Sequence, residues 1–553
     1  MKTDIEIALS QEKLNIIDIA KKIDLDEDTI EQYGKYKAKI DLSVLNREDK
    51  ADVVLVTAMT PTKYGEGKTT VSIGLADGLN SISVKTIAAI REPSLGPVFG
   101  VKGGACGGGY AQVLPMEDIN LHFTGDFHAI TSANNLICAT LDNHIYQGNE
   151  LNIDTKRIII KRAVDMNDRQ LRSIVSGLGK KTDGVVREDG FEITVATELM
   201  AIFCLANDFL DLKNKISEMI IAYNKQGDAI TVSDLKIVGS VCLLLKDAIK
   251  PNLVQTIEKT PVIIHGGPFA NIAHGCNSII STKIAMKLAD VVVTEAGFGA
   301  DLGGEKFLDI KCRKSSIVPK VVVIVATIKA IKYHGKNDNN NTNNDIDLLN
   351  IGFENLKQHI NNIRENYNLD VVVAINKFPN DKKEEIDFIK NKCNQIGAIA
   401  ETTTSFEDGK KGSEELAKIV YEKLKNKNKN FKFLYEDELP IREKILKIIQ
   451  NIYHGKNYTL SKQAENNIKY IETSKYKNLP ICIAKTQYSF SDNQSLLNCP
   501  KDFIVNVRDI KISAGAGFIV VYLGDIMTMP GLPKNPASLN IDIDENYNIK
   551  GLF

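Results

Sequence analysis

Five stretches of this chain are apolar from end to end: VVLV at 53–56, PVII at 261–264, VVV at 291–293, VVVIV at 321–325 and VVVAI at 371–375. A strand with one face in water alternates apolar and polar positions, whereas short unbroken β-branched runs suit strands covered on both faces. A further stretch, VKTIAAI at 84–90, reads as a strand that stops at Arg91, Glu92 and Pro93. The later runs end in HGG, in TEAGFGAD, at Thr327 and in NKFP. A core alone explains the valines but not the repeated polar ends. An open parallel sheet explains both, because its ligands sit outside the carboxyl ends of the strands. The expected fold class is therefore α/β: a mostly parallel, doubly wound sheet in a large N-terminal domain, with two smaller α/β domains. Length allows two to four domains for 553 residues. The expected division is 1–365, 366–450 and 451–553, the last beginning after an amphipathic stretch with Ile441, Ile445, Ile448 and Ile449.

The first apolar run leads into TAMTPTKYGEGKTT at 57–70, followed by Val71, Leu75 and Leu79 on one helical face. Strand, glycine loop and helix in that order place backbone N–H groups, a lysine and a hydroxyl at a helix N-terminus, where the helix dipole favours anions. The segment reads as a phosphate-loop cradle for a nucleotide. Its expected contacts are Thr62, Lys63, Tyr64, Gly65, Glu66, Gly67, Lys68 and Thr69, with Thr69 as the Mg²⁺ ligand. Thr62 stands where the usual pattern has its first glycine. A lysine-bearing turn that merely caps a surface helix is the plainer alternative. In a parallel sheet, the strand at 84–90 is expected to lie beside the first, bringing Arg91 to the phosphates. An arginine there is suited to a carboxylate or acyl phosphate, which it grips through two parallel hydrogen bonds.

GVKGGACGGGY at 100–110 is too glycine-rich for a helix or an ordinary strand, so backbone is expected to pass close to a neighbour there. His122, His128 and His144 lack zinc-ligand spacing. Asp126, between a glycine and an aromatic, is the better candidate for holding Mg²⁺ or a substrate amine. Residues 1–50 carry a helical apolar stripe with Ile16, Ile17, Ala20 and Ile23 and are expected to pack without taking part in chemistry. The asparagine-rich 337–344 and the lysine-rich 423–430 read as surface loops.

Sixty-nine basic against 70 acidic residues provide no field that would recruit nucleic acid or an anionic membrane. Nine cysteines without a Cys-x-x-Cys pair suit neither a disulfide nor a zinc framework, and a reduced, cytoplasmic setting is expected. No apolar run reaches membrane-spanning length, and the first residues lack the apolar core of a secretory leader.

GVKGGACGGGY at 100–110 and VATIKAIKYHGK at 325–336 resemble the two signatures of the formate–tetrahydrofolate ligase family. Cys106, Lys329 and Lys336 stand where alanine, arginine and glycine are usual. TPTKYGEGKTT, REPSLGP, FTGDFHAITSANNL, HGGPFANIAHGCNS, TEAGFGADLGGEKF, LPICIAKTQYSFS and MTMPGLPKNPAS resemble further family landmarks in family order, from about Asp52 to Ser538. The resemblance implies ATP-dependent ligation of formate to tetrahydrofolate through formyl phosphate, with Mg²⁺, a monovalent cation (K⁺ or NH₄⁺) and a homotetramer. For that reaction the catalytic candidates are Lys68 on the phosphates, Arg91 on the formate, and either Glu92 or Asp126 to take or orient the amine proton. Phe298 and Leu302 would wall the formyl phosphate, and Phe378 and Pro379 would form one face of the pterin slot. The family often has tryptophan at Phe406; this chain has none, so Phe406 would stack alone, and weaker folate binding is expected.

The chemistry itself sets few demands. Formate has a poor leaving group, so ATP serves best by first making the mixed anhydride, which a site must align, neutralise and keep dry until an amine attacks. A phosphate-loop GTPase is the competing class, since DLGG at 301–304 imitates a switch motif and Asn376-Lys377 opens a guanine motif. The distance of DLGG from Lys68, and Pro379 in place of the guanine-reading aspartate, count against it.

Overall fold

The computed structural model describes residues 2–63, 65–101, 104–336, 344–426, 430–524 and 526–552. Tyr64 of the expected nucleotide contacts lies outside the described residues, as do Lys102 and Gly103, the insert 337–343, and 427–429. Seven strands run parallel and side by side: β1 (Asp52–Ala58), β2 (Thr86–Ile90), β3 (Pro261–Ile264), β4 (Val291–Glu295), β5 (Val321–Ala326), β6 (Asp370–Asn376) and β7 (Ile399–Thr403). Their spatial order is β3-β2-β4-β1-β5-β6-β7, and an antiparallel edge built on Asn252–Thr256 and Ala38–Ile40 completes a sheet of 12 strands. Successive residues serve opposite faces. Val322, Ile324 and Ala326 enter one apolar cluster and Val321, Val323 and Val325 another, which is why the runs cannot afford polar alternation.

Two sequence expectations need correction. β2 does not lie beside β1: β4 sits between them, with Val292 paired to both Val53 and Ile87. Crossover connections set strand order, and nothing local to 84–90 announces a strand that arrives 200 residues later. A boundary after residue 365 would also cut the sheet, because β6 and β7 continue it from β5 through parallel hydrogen bonds. Residues 153–231 form small separate sheets, and the C-terminal part carries a three-stranded sheet, Ile481–Ala484, Phe518–Tyr522 and Asp509–Ser513. Among the described residues, no helix is long and apolar enough to cross a membrane.

Helix α1 (Lys68–Ser81) follows β1 and buries every position from Thr70 to Leu79, including Asp77. The Asp77 carboxyl accepts a hydrogen bond from the Thr256 hydroxyl at 2.7 Å, and burial pushes its pKa up to about 7. The folded protein therefore holds this proton more tightly than the unfolded chain does. Its contribution is full at low pH and is lost as pH rises from about 4 through about 7, at about 1.4 kcal/mol per tenfold change in proton affinity. Asp77→Asn is expected to flatten that slope and to raise the urea midpoint at pH 8 but not at pH 4. Equal midpoints for variant and wild type at pH 8 would contradict it.

Candidate functional site

The loop after β1 is held from three sides. Below it, the Thr60 carbonyl accepts a hydrogen bond from His334 Nε2 at 2.9 Å, and the Thr60 hydroxyl contacts His359 Nε2 at 2.9 Å and accepts from Asn355 at 2.9 Å. Burial lowers both histidines to about 4, so they serve as neutral hydrogen-bonding rings. Inside it, the Thr62 N–H donates to the Glu66 carboxylate at 2.8 Å. From the side, Asn376 at the tip of β6 donates its amide N–H to the Glu66 carbonyl at 3.0 Å. Gly67 caps α1 with φ of 72°, and a Cβ there would lie 2.4 Å from the Asn376 amide nitrogen, so the turn requires glycine on both counts. Lys63 and Gly65 are exposed, Thr62 and Glu66 buried, and Gly67, Lys68 and Thr69 half-buried at the start of α1.

The strand inserted between β1 and β2 supplies the residue that joins the loop to Arg91. Glu295 closes β4 and is 2% exposed; its Oε2 accepts the Thr69 hydroxyl at 2.9 Å, and its Oε1 lies 4.0 Å from the Arg91 guanidinium. Arg91 also donates to the Pro268 carbonyl at 3.4 Å. Gly297 leaves it room, since a Cβ there would lie 3.1 Å from the guanidinium. Phe298 next to it is half-buried and left-handed, with φ of 59°, strain of the kind found where a loop is shaped for a task. Leu302 is fully buried.

Glu92 is buried, with its backbone N–H on the Gly266 carbonyl and one carboxyl oxygen without a hydrogen-bond partner among the described residues. Burial, and then the negative charge of Asp126, hold its pKa well above the usual carboxylate range. Asp126 is committed on both oxygens. Oδ1 accepts from Lys39 at 2.7 Å and Oδ2 from Asn252 at 2.7 Å, with Lys39 and Asp126 each 1% exposed. Both of its oxygens are thus engaged inside the protein, and its charge is felt at Glu92.

Phe378 and Phe406 are 44% and 39% exposed and leave adjacent strand tips, since Asn376 of β6 pairs with Thr403 of β7; Pro379 is exposed beside Phe378. Phe406 also explains part of the glycine-rich stretch. Its carbonyl accepts the Tyr110 N–H at 2.9 Å, and Cβ atoms on Gly108 and Gly109 would lie 3.0 Å from its ring and 2.0 Å from its carbonyl oxygen. A Cβ on Gly104 would strike Asn120.

Several residues matter here that the sequence reading passes over: Glu295, Asn376 as a loop clamp, His334, His359 and Lys39. A carboxylate ending a buried strand was the one signal available for Glu295. Asp301 of the switch-like DLGG is buried in an ion pair with Lys485 at 2.8 Å, which removes it from any nucleotide-sensing role. A cavity of about 670 Å³ lined by Arg157, Glu192, Glu198, Tyr223, Lys511 and Tyr522 lies elsewhere, between the 153–231 sheets and the C-terminal sheet, and contains none of the site residues named here.

The fold and the strand-tip residues together define a mostly parallel α/β protein that gathers an arginine, a lysine-bearing glycine turn and two buried carboxyls at the carboxyl ends of its strands. The formate–tetrahydrofolate ligase family model matches residues 2–553, and the chain belongs to that family. It is an ATP-dependent ligase with formate and tetrahydrofolate as substrates.

Proposed function

We propose that the chain makes 10-formyltetrahydrofolate in two steps with formyl phosphate between them. A formate oxygen attacks the γ-phosphorus of ATP and ADP leaves; the folate amine then attacks the carbonyl carbon, and phosphate departs carrying that formate oxygen. The loop N–H groups and Lys68 hold the phosphates, and Arg91 grips formate and then the anhydride through paired hydrogen bonds. Glu92, with its raised proton affinity, is suited to take the amine proton, and Asp126 keeps that affinity high from behind. Phe298 and Leu302 shield the anhydride from water. Phe378, Pro379 and Phe406 receive the pterin, which stacks on less aromatic surface than an indole would offer.

Thr69 and Glu295 offer a hydroxyl and a carboxylate, hard oxygen donors that fit Mg²⁺. The ion would neutralise charge on the transferring phosphoryl group. A phosphate-loop mode of ATP binding, a cytoplasmic location and a separate C-terminal unit from about residue 451 belong to the same proposal on the residues themselves, and a monovalent cation (K⁺ or NH₄⁺) and a homotetramer on the strength of the resemblance.

The observation that carries the mechanism is that Thr69 and Arg91 meet at one carboxylate, so the nucleotide and formate ends of the site are neighbours. Purified protein with ATP, Mg²⁺, tetrahydrofolate and ¹⁸O-labelled formate is expected to yield ADP, formylated folate and phosphate bearing one ¹⁸O. ATP loss without formate dependence, or unlabelled phosphate, would defeat it.

A further inference from the structure

We infer that Glu295 is a coupling residue: it joins metal binding at Thr69 to formate binding at Arg91, so that Mg²⁺-nucleotide prepares the arginine for formate. The inference rests on the proposed function and extends it to a residue outside the expected set.

The geometry is specific. Glu295 is the last residue of β4, the strand that separates β1 and its loop from β2 and Arg91, so its side chain emerges between the two halves of the site. One oxygen is engaged by the Thr69 hydroxyl at 2.9 Å, while the other faces Arg91 at 4.0 Å, inside ion-pair range but beyond a hydrogen bond. The carboxylate is 2% exposed, so water screens it poorly and both charges are felt. A carboxylate at the tip of a strand beside a phosphate loop, hydrogen-bonded to the loop's hydroxyl, is placed to carry Mg²⁺ directly or through water.

The same charge competes with formate for Arg91. A cation drawn to Glu295 neutralises that competition, leaving the guanidinium to seek another carboxylate. Binding of Mg²⁺-nucleotide and of formate is therefore cooperative, and by linkage the effect is reciprocal. Gly297 supports the exchange, since it leaves the guanidinium space to move and Pro268 holds it by a single long bond of 3.4 Å.

Glu295→Gln keeps shape and removes charge. With a non-hydrolysable ATP analogue, calorimetry on the full chain is expected to show wild type binding more tightly with Mg²⁺ than without. The variant should bind the metal-free analogue at least as well but lose about 10–100-fold of the Mg²⁺ enhancement. Formate affinity, read by competition or protection, should rise about fivefold or more when wild type holds Mg²⁺-analogue, and by less than twofold in the variant. An unchanged Mg²⁺ enhancement or unchanged formate coupling in Glu295→Gln overturns the inference. Should that variant fold poorly, Thr69→Val gives the same reading of the metal arm: a loss of Mg²⁺ enhancement supports the inference, and full retention overturns it. Wild type without formate-dependent turnover defeats the proposed function; wild type with turnover, beside an indifferent Glu295→Gln, defeats only this inference.

Discussion

Arg91→Lys is expected to lower turnover by about 10²–10³-fold while leaving ATP affinity within about twofold. The two effects separate because Arg91 belongs to the far side of the site from the loop that holds the nucleotide. β4 lies between their strands, and Arg91 reaches the loop's hydroxyl through Glu295. A guanidinium presents two N–H groups in one plane to a carboxylate or anhydride, whereas an ammonium offers a single point of charge on a flexible stem. Lysine at 91 would keep the positive charge, so substrate attraction survives, but alignment of formate with the γ-phosphorus would not. A fall in kcat with a smaller change in the formate KM is the expected pattern, measured under saturating ATP and tetrahydrofolate. Unchanged turnover would remove Arg91 from the site altogether.

The parts of the molecule that were legible in the sequence are those written locally. The β-branched runs at β1, β4, β5 and β6 announce strands covered on both faces because their apolar side chains fill the clusters on either side of the sheet. The turn at Gly67 is equally local, since its left-handed conformation demands glycine. What stayed hidden depends on long separations. His334 belongs to a stretch recognisable as a family signature, yet its contact with Thr60 spans 274 positions, and only the folded chain shows that the helix Ile328–Gly335 props the loop. Asn376, which from sequence alone looks like the opening of a guanine motif, clamps the Glu66 carbonyl 310 positions away. The place of β4 between β1 and β2 is of the same kind, and with it the meeting of Thr69 and Arg91 at Glu295.

The N-terminal segment gives the second large effect. From sequence, residues 1–50 look like packing, but Ala38–Ile40 is an inner strand of the main sheet, between Ile30–Gln32 and Asn252–Thr256, and delivers Lys39 to the interior. There its ammonium reaches Asp126 at 2.7 Å, the Asn252 side-chain carbonyl at 2.9 Å and the Lys250 carbonyl at 3.0 Å. Lys39→Met strips a buried carboxylate of its counter-charge and is expected to cost about 3–5 kcal/mol of stability. Glu92 would respond as well. Lys39 opposes the upward push of burial and Asp126 on that carboxyl, so its removal sends the proton affinity of Glu92 higher still, and the acid limb of the kcat profile should move to higher pH. Lys39→Met combined with Asp126→Asn neutralises both partners while keeping an acceptor for Asn252; it is expected to regain most of the lost stability and to move the acid limb below its position in the single variant. The two readouts divide the roles of the pair, with urea midpoints reporting the buried charge and the pH profile reporting its hold on Glu92. A loss below about 1 kcal/mol in Lys39→Met would mean that water reaches Asp126 in solution, and the account of Glu92 as a base tuned from behind would fall with it.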